Sequence, residues 1–291
     1  MRLGPYTVTL HDHGPFRLDG GAMFGAVPRT IWERLCPPDE RNRIPMATRS
    51  LVVEDGAGSK LLVDLGCGDK YSPKMREIFC IPDAPYLPVE GVTDVLLTHL
   101  HFDHCGGISR FEHESPSEEP SAANHESQIA NRAVPSYPRA RHFVSRANLE
   151  NAKNPNPRER ASYLEENVGA LESVETVLIR EDSQELPGWP GLRVHRSDGH
   201  TRGLLWVELS GGGASLAYPS DLCPTSHHLP PVYAMGYDMC AETSMRERQE
   251  FLERAIEGNW TVVFQHDPAV PAARLKWDDR GRPAVGERVE V

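Results

Sequence analysis

The stretch Thr98-His99-Leu100-His101-Phe102-Asp103-His104-Cys105-Gly106-Gly107 holds four metal-binding side chains within six residues. Imidazole and carboxylate together suit zinc, and also manganese, iron or cobalt. Residues two apart in an extended segment point the same way, so His99, His101 and Asp103 can converge. His104 faces elsewhere unless the chain turns, and Gly106-Gly107 permits tight backbone there. One loop can therefore serve two adjacent metal positions, His99 and His101 at one, Asp103 and His104 at the other. Two divalent ions roughly 3.5–4 Å apart share a hydroxide that is nucleophilic at neutral pH, so the chemistry on offer is hydrolysis. Asp103 is then placed to help move the proton.

Two complete positions need further ligands. Ser197-Asp198-Gly199-His200-Thr201, Tyr218-Pro219-Ser220-Asp221 and Phe264-Gln265-His266-Asp267-Pro268 each put a His or Asp at or just past the end of an expected strand, the last of them apolar. Taken singly, a His at a strand end is commonly a structural residue, and a lone Asp commonly caps the next helix. Their order after the first motif is what makes them candidates.

Short strands must present these residues. Alternation predicts an edge strand over Tyr6–Leu10 and a hairpin of Ser50–Glu54 with Lys60–Leu65 around Asp55-Gly56-Ala57-Gly58. Leu18–Met46 reads as a long ordered loop with one helical turn near Ile31–Leu35. A helix is expected at Pro73–Phe79, and a buried strand at Val92–Thr98 leads into His99. Further strands are expected at Arg141–Ser145, Val174–Ile179, Leu192–His195, Leu204–Leu209, Ser215–Tyr218 and Trp260–Gln265. Ala147–Leu171 reads as polar and mostly helical, broken near Asn154-Pro155-Asn156-Pro157. Met245–Glu257 reads as an amphipathic helix with Phe251, Leu252, Ala255 and Ile256 on its apolar side. The expectation is one α/β domain over residues 1–291, two mixed sheets between helices. Residues 112–133, rich in Ser, Glu, Pro, Ala and Asn, read as a surface insertion.

Composition narrows the function. With 31 Lys plus Arg against 42 Asp plus Glu, the net charge of −11 disfavours nucleic-acid binding. No apolar run approaches the roughly 18 residues of a membrane span, and Met1-Arg2-Leu3-Gly4-Pro5 lacks the pattern of a secretory leader. Six cysteines without a CxxC pair argue against a disulfide framework, and a reducing cytoplasm is the expected compartment.

The run His-x-His-x-Asp-His followed in order by His200, Asp221 and His266 resembles the metallo-β-lactamase superfamily, from about Ser50 to Pro268. The resemblance implies a four-layer αββα sandwich and a dinuclear site holding two divalent metal ions, with zinc expected. His99, His101 and His200 would hold one metal, Asp103, His104 and His266 the other, with Asp221 bridging. Asp64 matches the family's Asp-x-Gly after an early strand, as a support residue. The motif, the Leu18–Gly25 stretch and the Phe-x-His-Asp-Pro ending are most similar to acyl-homoserine lactone lactonases and methyl-parathion-hydrolase-like enzymes. That implies a small-molecule substrate with an acyl or ester group, and a homodimer for which Pro230–Met239 is the candidate contact. Known lactonases carry a Tyr shortly after the bridging Asp. Here Leu222-Cys223-Pro224-Thr225-Ser226-His227-His228 follows, so His228 or His227 is the candidate replacement.

Asp64 and Asp267 are the candidate partners that fix the ligand imidazoles. Cys105 is either a soft extra ligand or a buried space-filler. Pocket residues are sought in loops 18–46, 147–171 and 222–240, among Met23, Phe24, Trp32, Tyr163, Tyr233, Met235 and Tyr237. Phosphotriesters, aryl esters and thioesters are alternative substrates for such a site. A nuclease would need a basic strip that Arg139, Arg141 and Arg146 do not make. A di-iron oxygen enzyme of this fold would carry an acidic residue at His101, and a non-catalytic relative would have lost ligands.

Overall fold

The structure is a computed structural model that describes residues 1–111 and 133–291, so the expected insertion lies outside the described residues except for Ala133. In chain order the first half gives β1 (Arg2–Leu3), β2 (Tyr6–Asp19), α1 (Gly20–Phe24), α2 (Arg29–Trp32) and β3 (Arg43–Glu54). Then come β4 (Lys60–Val63), α3 (Pro73–Phe79), β5 (Asp94–Leu97), α4 (Phe102–Cys105), β6 (Ser109–Phe111), β7 (Ala133–Pro135) and β8 (Arg141–Ser145). The second half adds α5 (Arg146–Lys153), α6 (Glu165–Ala170), β9 (Glu175–Ile179), β10 (Ser183–Glu185), β11 (Leu192–Ser197), β12 (Leu204–Gly211) and β13 (Ala214–Tyr218). It ends with α7 (Ala241–Glu257), β14 (Thr261–Val263), β15 (Ala272–Trp277) and β16 (Pro283–Arg288).

Two seven-stranded mixed sheets result, ordered β1-β2-β3-β4-β5-β8-β9 and β10-β11-β12-β13-β14-β15-β16. In β4, Leu61 and Val63 pack between the sheets while Leu62 faces the opposite side, under the helices. The same alternation puts Leu96 of β5 inside and Val95 and Leu97 outside. Both faces are covered, so these strands read as unbroken apolar runs. Phe251, Leu252 and Ala255 of α7 cover the outer face of the second sheet, against Trp206, Ala217 and Val262. The layers are therefore helix, sheet, sheet, helix, as expected. No helix among the described residues is long and apolar enough to cross a membrane.

Some elements depart from the sequence reading. The first strand runs on from Leu10 to Asp19 and is not an edge, because β1 pairs outside it. Gly14-Pro15 looks like a terminator, yet the register shift between Asp12 and Pro15 absorbs it as a bulge. The supposed loop 18–46 is strand at both ends, with two short helices between, and its helical turn sits at Arg29–Trp32. β10, β15 and β16 are strands that the sequence did not announce.

Topology collects the functional loops. β11 and β13 each pair antiparallel with β12, so they run the same way, and β14 runs parallel to β13. Their C-terminal ends share one edge of the sandwich, where the loop after β5 joins them. That loop is held by a neighbouring one. Leu65 N donates to His104 O at 2.7 Å and Gly106 N to Gly66 O at 2.9 Å. A Cβ at Gly106 would collide with the Cys67 carbonyl. Gly106→Ala should therefore lower stability by about 3 kcal/mol, read as a lower urea midpoint; an unchanged midpoint would show that the two loops can part freely.

Candidate metal centre

The sandwich edge gathers seven side chains. His99 sits beyond β5, and the chain stays extended through His101 before turning into α4, whose first residues are Phe102, Asp103 and His104. Strand alternation therefore stops at His101. The helical turn, closed by His104 N and Cys105 N on His101 O, presents Asp103 and His104 together. His200 follows β11, Asp221 follows β13 and His266 follows β14.

Their ligand atoms form two overlapping groups. His101 Nδ1 lies 3.1 Å from His99 Nε2 and 3.2 Å from His200 Nε2. His104 Nε2 lies 3.2 Å from His266 Nε2, and Asp103 Oδ2 is 3.8 and 3.6 Å from these two nitrogens. Asp221 stands between the groups. Its Oδ2 is 3.2 Å from His200 Nε2, while Oδ1 is 3.2 Å from His266 Nε2 and 3.5 Å from His104 Nε2. The two carboxylate oxygens thus face different groups.

The opposite nitrogen of each imidazole fixes its tautomer. His104 Nδ1 meets Asp64 Oδ2 at 3.0 Å, and His200 Nδ1 meets Asp238 Oδ1 at 3.0 Å. His101 Nε2 meets Glu159 Oε1 at 3.3 Å, and His266 Nδ1 meets the Ala47 carbonyl at 2.8 Å. His99 Nδ1 is 3.2 Å from Thr98 Oγ1, whose own proton goes to Asp64. With one proton of each imidazole directed outward, the inward nitrogens are left to bind a cation or a second proton. Separations of 3.1–3.2 Å match the roughly 3.3 Å edge of a tetrahedron with metal–nitrogen bonds of about 2.05 Å. Asp221 Oδ1 is also buried with no hydrogen-bond partner among the described residues. The donor set fits divalent ions.

Electrostatics agree. Burial opposes charge on Asp221, but His104, His200 and His266 outweigh it and hold the carboxyl well below its ordinary range. Burial also opposes charge on His104, yet Asp221, Asp103 and Asp64 push its imidazole well above the usual value. Ions entering here displace those protons. Two support residues adopt left-handed backbone, Asp64 at φ 61° and Ser220 at φ 52°. Such strain persists where surroundings over-determine a conformation. Asp64 is fully enclosed, accepting from Thr98 N, Thr98 Oγ1, His104 Nδ1 and Tyr218 OH.

Asp267 is not where the sequence reading put it. Its carboxylate accepts from Ser226, Ala269 and Val270, and touches no ligand imidazole. His228 is fully buried and stacked on Phe24, with Nδ1 on Thr225 Oγ1 at 2.7 Å and Nε2 on Met23 O at 2.9 Å. Both its nitrogens are engaged, and neither His227 nor His228 is among the residues lining the cavity above the site. Cys105 donates to Leu100 O within the core, where burial pushes its thiol up.

That cavity encloses about 320 Å³. Its floor is His101, Asp103, His200, Asp221 and His266, and its walls are Leu18, Met23, Phe79, Phe102, Met235 and Met239. Of the expected aromatic lining only Tyr237 is present. Phe24 stacks on Trp32, Tyr233 packs edge-on to Phe24, and Tyr163 lies against the His101 ring.

Glu159, Asp238, Arg158 and Arg248 escaped the sequence reading. Glu159 is buried within the polar stretch Asn154–Ser162, where nothing separates it from exposed charge. Burial opposes its ionisation, but hydrogen bonds from His101, Thr201 and Asn151 hold it at about 2. Glu159→Gln should weaken metal retention about tenfold in chelator competition, since partners of ligand imidazoles commonly matter by 10–100-fold. Unaltered retention would leave Glu159 a purely structural role.

The family model described as Metallo-beta-lactamase superfamily matches residues 43–217. No curated protein matches the sequence. A probable metal-dependent hydrolase from Staphylococcus aureus is similar in structure, with a TM-score of 0.80 at 23% identity over 99% of this chain and 100% of that one. AidC, a dizinc quorum-quenching lactonase in complex with a product, gives 0.74 at 18% identity over 100% and 97%. AbOPH, a hydrolase in the beta lactamase superfamily, gives 0.73 at 18% identity over the same shares. Together with the family match over residues 43–217, the two sheets and the ordered His/Asp loops establish that this chain belongs to the metallo-β-lactamase superfamily.

Proposed function

We propose that this chain is a dinuclear metal hydrolase that opens an ester-type bond, with a lactone the favoured substrate. The observation that carries the reading is Asp221, whose two oxygens face two different groups of ligands beneath an apolar cavity. His99, His101 and His200 would hold one divalent ion, Asp103, His104 and His266 the other, with Asp221 shared between them, and zinc is the expected metal, with manganese, iron or cobalt as alternatives. Bound there, the ions supply a hydroxide nucleophile at neutral pH and a Lewis acid for the carbonyl oxygen.

The chain's own residues supply the rest. The thioethers and rings of the cavity wall hold the acyl part and exclude water. Tyr237, which lines the cavity, replaces His227 and His228 as the candidate to steady the substrate carbonyl. Asp103, at the cavity floor, passes the proton to the leaving alkoxide. AidC, a lactonase by its description, supports the substrate class.

Proton release from a long-chain acyl-homoserine lactone tests this, with metal-loaded and chelator-stripped protein compared. Turnover that depends on metal is the expected result. Absence of turnover in loaded protein would remove the lactone and direct the search to phosphotriesters and aryl esters.

A further inference from the structure

One charged group at the cavity has no part in the ligand network. Asp103, Glu159 and Asp221 in the lining all engage imidazoles. Arg158 also lines the cavity, is exposed, and has no carboxylate within ion-pairing distance among the described residues. Its Nη2 donates to the Gly236 carbonyl, on the opposite loop of the mouth. That neutral acceptor anchors the guanidinium at the rim and leaves its charge uncompensated. A guanidinium has five N–H groups and suits carboxylate geometry. Elsewhere the walls are apolar, with Leu18, Met23, Phe79 and Met235 above the floor. A neutral substrate would use only the N–H groups, whereas a carboxylate would also use the charge, and a chain of net charge −11 otherwise repels anions.

We propose that Arg158 sets substrate specificity: the ester-type substrate has an apolar acyl body lying on the cavity wall and a carboxylate at its far end, received by the Arg158 guanidinium. This rests on the hydrolase reading above. The reaction is unchanged by it: one water is consumed, the acyl C–O bond breaks, and a carboxylate, an alcohol and one proton result.

The test compares 4-nitrophenyl hexanoate with mono-4-nitrophenyl adipate, which differ by a terminal methyl against a terminal carboxylate. Metal-loaded wild type should prefer the adipate ester in kcat/KM. In Arg158→Gln, which keeps a donor for Gly236 and loses the charge, the adipate-to-hexanoate ratio should fall about fivefold, through KM rather than kcat. Arg158→Lys should keep the ratio within about twofold. An identical ratio in wild type and Arg158→Gln overturns the proposal. Calorimetric binding of adipate to the same proteins separates the two readings. Adipate binding that depends on Arg158, with neither ester nor the acyl-homoserine lactone cleaved by loaded protein, would defeat the ester-hydrolase reading and keep Arg158 as a carboxylate site. Ester cleavage with adipate binding indifferent to Arg158 would do the reverse.

Discussion

Asp221→Ala should lower kcat/KM by about a thousandfold or more, a loss of about 4 kcal/mol in transition-state stabilisation. Removing this side chain takes one oxygen from each ligand group at once, whereas loss of any single histidine would touch only one. It also deletes the carboxylate that offsets imidazole charge on His104. Metal content after gel filtration should fall in step with turnover, because both positions lose a donor. Asp221→Asn preserves shape without charge and should lie between the two. Full metal content with full activity in the alanine variant would remove Asp221 from the centre.

Arg248→Met should cost about 3–5 kcal/mol in stability, visible as a large drop in the urea midpoint. Arg248 is completely buried on α7 and donates to the carbonyls of Leu222, His228 and Tyr233. All three lie in the loop that follows Asp221. Its Nη2 also stands 3.9 Å from Asp238 Oδ2, the other oxygen of the carboxylate that holds His200. Methionine fills similar volume but strands three carbonyls and leaves Asp238 without its cation, and buried groups left unpaired cost more than the pair contributes. Arg248→Lys keeps the charge and should recover part of the loss. A midpoint within experimental error of wild type would mean that water replaces the guanidinium without penalty.

The candidate ligands that the structure gathers were legible in the sequence because metal chemistry restricts residue type and spacing together. Little besides metal binding requires His-x-His-x-Asp-His, and each later candidate ligand stands just beyond a strand. The partners of those ligands were not legible in the same way. Asp64 could be named because it matches the Asp-x-Gly of the family the chain resembles, whereas Glu159 and Asp238 sit in loops whose path the local sequence does not dictate. Asp267 stands beside a candidate ligand and points away from it, since four donors from Ser226, Ala269 and Val270 claim it first. His228 was attractive for its type and its distance from Asp221, but no pattern shows that Phe24 and the Met23 carbonyl enclose it. Strand interiors followed from apolar runs. The continuation of β2 did not, because a bulge can accept the Gly-Pro pair that ordinarily ends a strand.

The ligand loops come from both sheets, His99 to His104 from the first and His200, Asp221 and His266 from the second. Cations seated among them would be a cross-link between halves of the sandwich that are far apart along the chain. The loop so closed, from His104 to His266, spans 162 residues in sequence, and tethers over long loops restrict the unfolded chain most. Loading the centre would then favour the folded state through chain entropy as well as through coordination. Chelation would accordingly loosen the seam between the sheets before it disturbed either outer helical layer.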